Sequence, residues 1–186
     1  DDTVLRKEVY EIGCTGLDRL DQIITQIHHF AHPSELVMKS FNLRDSVTKA
    51  LQIARERSET NDTPVEIDFP NDLPEVLGDE RALTEAFAHL VSNATEATDG
   101  RSKPRVTLAA QPIREVERTR GVVVTVQDNG AGIDPELKDK SFSPFCTTKP
   151  RGMGLGLPIV QRTVLDHYGR PGTHSLPRVH PSTRGP

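Results

Sequence analysis

Val122-Val123-Val124-Thr125-Val126-Gln127-Asp128-Asn129-Gly130-Ala131-Gly132 is the stretch that decides the reading, together with the later run Gly152-Met153-Gly154-Leu155-Gly156-Leu157. The first joins a β-branched run, suited to a strand, to a glycine pair, suited to a sharp turn or a close backbone approach. The second opens a helical stretch from Leu157 to His167. A glycine loop that enters a helix presents free N–H groups and the positive end of the helix dipole, and both favour phosphate. One such cluster is weak evidence. Two, each at an element boundary, point to a nucleotide site.

Working outward, Asp79 is placed to cap a long helix that runs to Ala97 and closes at Asp99-Gly100. Pro104 to Gln111 and Gly121 to Gln127 read as neighbouring strands, with Arg114 to Arg120 between them as a charged, solvated loop. Upstream, Asn42-Leu43-Arg44-Asp45 leads into a helix over about 44–58, whose apolar positions Val47, Ala50, Leu51 and Ile53-Ala54 give one buried face. Thr63 to Phe69 alternates as a half-buried strand. The first thirty residues form one helix, with Leu17, Leu20, Ile24 and Ile27 repeating at three and four residues, and His32-Pro33 ends it. That helix either packs on its own domain or forms one arm of a dimerisation bundle, and its length favours the bundle. The order implies an α+β fold with helices on one face of a mixed sheet, preceded by a long N-terminal helix. Residues 1–33 are the helix, 34–169 the main domain, and 170–186, rich in Pro, Arg, His and Ser, an irregular or disordered tail.

The bulk composition narrows the classes. With 34% hydrophobic residues the chain of 186 has a lean but sufficient core for one domain and an appendage. A net charge of −4 argues against nucleic-acid binding. No apolar run spans a bilayer, so no membrane contact is expected of this segment. The chain opens with Asp1-Asp2-Thr3, without a leader or an initiator Met, and is expected to be part of something longer. Cys14 and Cys146 fall in no metal-binding spacing and read as reduced thiols of a cytoplasmic protein.

Several side chains can carry chemistry at the glycine loops. His89 and Asn93 are four apart on the helix and share a face extended by Glu85 and Glu96. Such a stripe is ordinarily a solvated face, but beside a phosphate loop an Asn carbonyl oxygen is a suitable ligand for Mg2+. Asp128 offers a carboxylate to an exocyclic amine such as that of adenine, or else stabilises its own turn. Phe145, Thr147, Thr148 and Lys149 supply an aromatic ring, two hydroxyls and an ammonium just before the second glycine cluster, and Lys149 or Arg151 can sit over phosphates.

At these residues the chain resembles the sensor histidine kinases of bacterial two-component systems. His89-Leu90-Val91-Ser92-Asn93-Ala94 resembles their N box, and Asp128 to Ile133 their G1 box. Phe142-Ser143-Pro144-Phe145-Cys146-Thr147-Thr148-Lys149 is similar to the F box, and Gly152 to Val160 to the G2 box. The four motifs stand in family order over 79–167. The Phe30-Ala31-His32-Pro33 exit and the Pro-Phe-x-Thr-Thr-Lys segment resemble the nitrogen-regulation branch. The resemblance implies the Bergerat ATP-binding fold, a two-layer α/β sandwich with a mobile lid between the F and G2 boxes. It implies ATP and Mg2+ as ligand and metal, with Asn93 holding Mg2+ and Asp128 reading adenine. It implies that Gly130 and Gly132 shape the adenine pocket, with Ile133 among the nucleotide-binding residues. It implies Phe145, Thr147, Thr148, Lys149 and Leu155 as further nucleotide-binding residues, with Gly152, Gly154 and Gly156 wrapping the triphosphate as the lid closes. It further implies a homodimer formed through the N-terminal helix and a response-regulator receiver domain as partner.

Three departures qualify the expectation. No His lies in an H-box context, so the phosphoacceptor is expected outside this chain and autophosphorylation of the chain is not. His89 stands where many relatives carry Asn, as a metal ligand through water or a proton-transfer group. Gly172-Thr173 follows the last helix at once, where relatives continue with two strands. The reading is an ATP-dependent histidine kinase domain. Its rivals are another ATPase of the same superfamily, opposed by His89 in place of a hydrolytic Glu, and a degenerate module that dimerises without nucleotide.

Overall fold

The computed structural model describes residues 35–57, 63–115, 118–138, 140–149 and 152–168, with scattered positions between 6 and 24. The scattered positions, from Arg6 to Ile24, are helical, as the apolar repeat predicts. The expected helix end at His32-Pro33 and the tail 170–186 lie outside the described residues.

The elements run β1 (Lys39–Phe41), α1 (Leu43–Arg57), β2 (Val65–Asp68), β3 (Val76–Gly78), α2 (Glu80–Ala97), β4 (Val106–Glu115), β5 (Arg118–Asp128), α3 (Pro135–Lys138) and α4 (Gly156–Tyr168). The main sheet has the order β2-β4-β5 and is mixed: β2 is parallel to β4, and β4 antiparallel to β5. A parallel pair needs a crossover, and the segment carrying α2 supplies it. Helices α1, α2 and α4 form the second layer. The central helix α2 touches α1, α4 and both strands β4 and β5.

Local chemistry sets the helix starts. Asn42 accepts the Arg44 N–H on its side-chain Oδ1 at 2.9 Å and caps α1. Leu43, Val47, Ala50 and Ala54 then recur on one buried face. In β4 the period is two, and Val106, Leu108 and Ala110 point into the same core. That core joins them to Phe87, Ala88, Val91 and Ala94 of α2 and to Val122 of β5.

Two features depart from the sequence reading. The segment expected as a solvated loop, Arg114 to Arg120, is strand at 114–115 and 118–120: Arg114 pairs with Thr119 and Glu115 with Arg118. A strand ladder needs backbone pairing rather than apolar side chains, so charged residues can extend it. The second is a separate antiparallel pair, β1 with β3, in register Lys39 to Gly78 and Phe41 to Val76. Strands of three residues are too short to show a period.

Candidate nucleotide-binding site

The first glycine loop is built onto the C-terminal end of α2. Ala131 donates its N–H to the Ala97 carbonyl at 3.1 Å and satisfies a helix-end acceptor. Gly130 lies so close that a Cβ there would fall 2.4 Å from the same oxygen, so any side chain is excluded. Gly132 has φ +77°, a region that favours glycine. Asp128, half-buried at the end of β5, accepts the Gly130 N–H on Oδ1 at 2.8 Å. Asn129 clamps the other side. Its Oδ1 accepts the Arg105 N–H at 2.9 Å and its Nδ2 donates to the Lys103 carbonyl at 2.7 Å. Arg101 completes the loop with a 2.7 Å bond to the Gly130 carbonyl.

The second glycine loop is held by the segment before it. Phe145 donates its N–H to the Gly154 carbonyl at 3.1 Å, and the two residues have φ +65° and +67°. A Cβ on Gly154 would stand 2.6 Å from the Cys146 carbonyl oxygen, so the two backbones cross in near contact. Gly152 donates to the Lys149 carbonyl at 3.1 Å, and Thr147 Oγ1 accepts the Lys149 N–H at 3.1 Å. Leu155 is buried and anchors the start of α4, whose Ile159 N–H reaches back to the Leu155 carbonyl. Pro158 falls in the first turn of α4, where a missing N–H costs nothing.

The second loop meets the polar face of α2. A methyl group on Gly156 would come within 3.4 Å of His89 Nδ1 and 3.7 Å of Asn93 Nδ2, so the N-terminus of α4 sits on these side chains. Lys149 crosses from the loop to α2. Its Nζ donates to Asn93 Oδ1 at 2.8 Å and pairs with Glu96 Oε2 at 2.6 Å. An ammonium thus already lies against the amide oxygen expected to take Mg2+, and the paired oxygens of Asn93 and Glu96 are hard donors that fit such an ion. No group of three or more His, Cys, Asp or Glu side chains that could hold a metal occurs among the described residues. That is compatible with Mg2+ taken by one or two protein oxygens and completed by phosphate and water.

His89, Asn93, Lys149, Gly152, Gly154, Leu155 and Gly156 are therefore brought together, and Gly130 lies against the C-terminal end of the same helix, with Asp128 bonded to it and Gly132 in the same loop. Ile133 and Phe145 stay exposed, at 45% and 68%, and Thr148 is exposed as well. Arg151 lies outside the described residues. A cleft of about 490 Å3 between α1 and α2 is lined by Lys49, Gln52, Glu80 and Arg81, among others, and holds none of the expected site residues. Sequence reasoning missed the clamps Asn129 and Arg101 and the role of Glu96. The signal for Glu96 was its place on the polar face it shares with Asn93, three residues on.

An Asn-bearing helix laid across two glycine loops of a mixed sheet defines a class of nucleotide-binding domain, and comparison with known proteins gives the same answer. Residues 78–184 match the family described as histidine kinase-, DNA gyrase B- and HSP90-like ATPase. The chain belongs to this family, as the ATPase domain of a histidine kinase. It is 28% identical over 162 residues to the sensor histidine kinase ZraS of Salmonella typhi, covering 87% of this chain and 34% of that protein. The chain thus spans about a third of the length of that relative. Among solved structures it resembles full-length ShkA in complex with AMPPNP, with a TM-score of 0.68, 26% identity, and coverage of 85% of this chain and 33% of that one. It also resembles the histidine kinase ThkA in complex with the response regulator protein TrrA, at TM-score 0.64 and 26% identity over 84% of this chain and 43% of that one.

Proposed function

We propose that residues 34–169 bind Mg2+-ATP and form the catalytic domain of a two-component sensor kinase, whose γ-phosphoryl group goes to a histidine outside this chain. The observation that carries the reading is the meeting of Asn93, His89 and Lys149 with the N-terminus of α4. Phosphoryl transfer is largely positioning and electrostatic stabilisation. In this reading Asp128 accepts a hydrogen bond from the adenine amine, next to the loop shaped by Gly130, Gly132 and Ile133. The backbone N–H groups of Gly154, Leu155 and Gly156 face the phosphates, favoured by the helix dipole, with Gly152 fixing the start of the loop. Asn93 holds Mg2+, which neutralises charge on the phosphate oxygens when bound. His89 assists through a metal-bound water or as a proton carrier, and Phe145, Thr147, Thr148 and Lys149 cover the nucleotide.

The N-terminal helix supports a dimer in the parent protein. Val9, Tyr10, Leu17 and Ile24 are 62–73% exposed in a single chain, an apolar set suited to a partner helix. A receiver domain is the acceptor in this scheme, as ThkA is found with TrrA. Among the described residues no helix is long and apolar enough to cross a membrane, and we assign the domain to the cytoplasm, where ATP is available. Calorimetric titration with Mg2+-AMPPNP tests the site. The parent chain is expected to bind and Asp128→Ala to bind at least about tenfold more weakly, because a charge-assisted hydrogen bond is lost. Absence of binding by both would favour a non-catalytic module.

A further inference from the structure

We propose that Lys149 is a tethered cation that fastens the second glycine loop to α2 in the nucleotide-free protein, with Glu96 as its anchor. Mg2+-nucleotide displaces it from both partners. The exchange half of this proposal rests on the reading of Asn93 as the Mg2+ ligand.

Asn93 and Glu96 are three apart on α2, so their oxygens lie on one face. A lysine ammonium has three donors and no acceptor, and here it bridges them at 2.8 and 2.6 Å. Its main chain is fixed to the loop on both sides, by Thr147 Oγ1 on its N–H and by Gly152 on its carbonyl. A Cβ on Gly152 would stand 3.1 Å from the Lys149 Cβ, so the lysine stem and the glycine backbone pack as one unit. Moving the ammonium therefore moves the start of the second glycine cluster.

Glu96 has no part in the expected nucleotide set, and the contact gives it one. An amide oxygen alone holds an ammonium weakly. A carboxylate beside it adds a charge-assisted bond. The pair is 39% and 47% exposed at its side chains, so it is weak enough to be broken by a ligand. Mg2+-nucleotide brings a dication for Asn93 and phosphate oxygens for Lys149. Lys149, once released, meets phosphate oxygens, and the Glu96 carboxylate, 47% exposed, is returned to solvent, where its charge is hydrated.

The loop carries its own reporter. Cys146 is a half-buried free thiol whose backbone N–H is held by the Ser143 carbonyl at 3.2 Å, and its labelling rate follows local opening. Cys14 is the only other cysteine in the sequence, so Cys14→Ser leaves a single thiol. In that background, without nucleotide and with EDTA, Lys149→Met is expected to raise the rate of reaction with dithionitrobenzoate about fivefold. Glu96→Gln raises it by less, and Lys149→Arg stays near the parent rate. With saturating Mg2+-AMPPNP the difference between Glu96→Gln and the parent disappears. Rates of Lys149→Met and Glu96→Gln within about twofold of the parent would overturn the fastening role. A Glu96→Gln difference that persists with nucleotide bound would overturn the exchange. Should calorimetry detect no Mg2+-AMPPNP binding while Lys149→Met still labels faster, the nucleotide assignment fails and the fastening stands.

Discussion

Gly130 shows how little room the site leaves to individual residues. Its backbone lies against the Ala97 carbonyl, the last of α2, and the neighbouring Ala131 N–H closes that helix end. Gly130→Ala forces a Cβ into backbone atoms that cannot move without uncapping α2. The expected cost is about 1–3 kcal/mol, read as a lower urea midpoint with an unchanged slope, accompanied by loss of AMPPNP binding. Gly132→Ala meets no atom within 4 Å and is opposed only by its positive φ. It should cost less, of order 1 kcal/mol. Equal losses for the two would show that packing on α2 is not what selects Gly130.

At the scale of elements, the join between α2 and α4 depends on Asp79 and His167. Asp79 Oδ1 accepts the Ala82 N–H at 2.9 Å as the N-cap of α2, and Oδ2 accepts the Val37 N–H at 2.8 Å from the chain before β1. The Asp79 N–H itself points at His167 Nε2, 2.8 Å away. A backbone N–H can only donate, so Nε2 is the acceptor and Nδ1 carries the proton toward the Thr163 carbonyl at 2.7 Å. Three elements meet on one neutral imidazole tautomer and one carboxylate. Burial pushes the Asp79 carboxyl up. The N–H groups of Ala82, Val37 and Arg81 outweigh it and hold the carboxyl below its ordinary 3.8. A depressed folded value means the contribution is fully present above that ordinary value and is lost as pH falls through the lower, folded one. Asp79→Ala is therefore expected to cost about 0.5–2 kcal/mol at neutral pH. The gap from the parent should narrow in urea titrations carried below about pH 4. A gap independent of pH would refute the assignment.

For the molecule as a whole, the proposed nucleotide site stands in a sequence none of whose histidines has an H-box setting. Incubation with γ-labelled ATP is expected to leave no acid-labile, alkali-stable label on this chain. Label retained on any of its seven histidines would reverse that reading. Much of the architecture was legible beforehand. The apolar spacing of Val47, Ala50 and Ala54 and the cap at Asp79 defined α1 and α2 nearly to the residue. The β-branched run before Asp128 defined β5. Charged Arg114 and Glu115 hid the extension of the hairpin, because backbone pairing leaves no mark on hydropathy. Residues 39–41 and 76–78 were too brief to register at all.

The sequence by itself determined the elements, their order and the family motifs, because periodicity, caps and glycine spacing act over a few residues and are written locally. Only the tertiary structure decided what those motifs touch. Lys149 lies 56 residues from Asn93 and His167 lies 88 from Asp79, and nothing in either neighbourhood names the other. Such pairs are chosen when the helix layer closes on the sheet, since contact follows distance in space while pattern follows distance along the chain. The loop that composition marked as phosphate-seeking is held to α2, in this fold, by its own lysine.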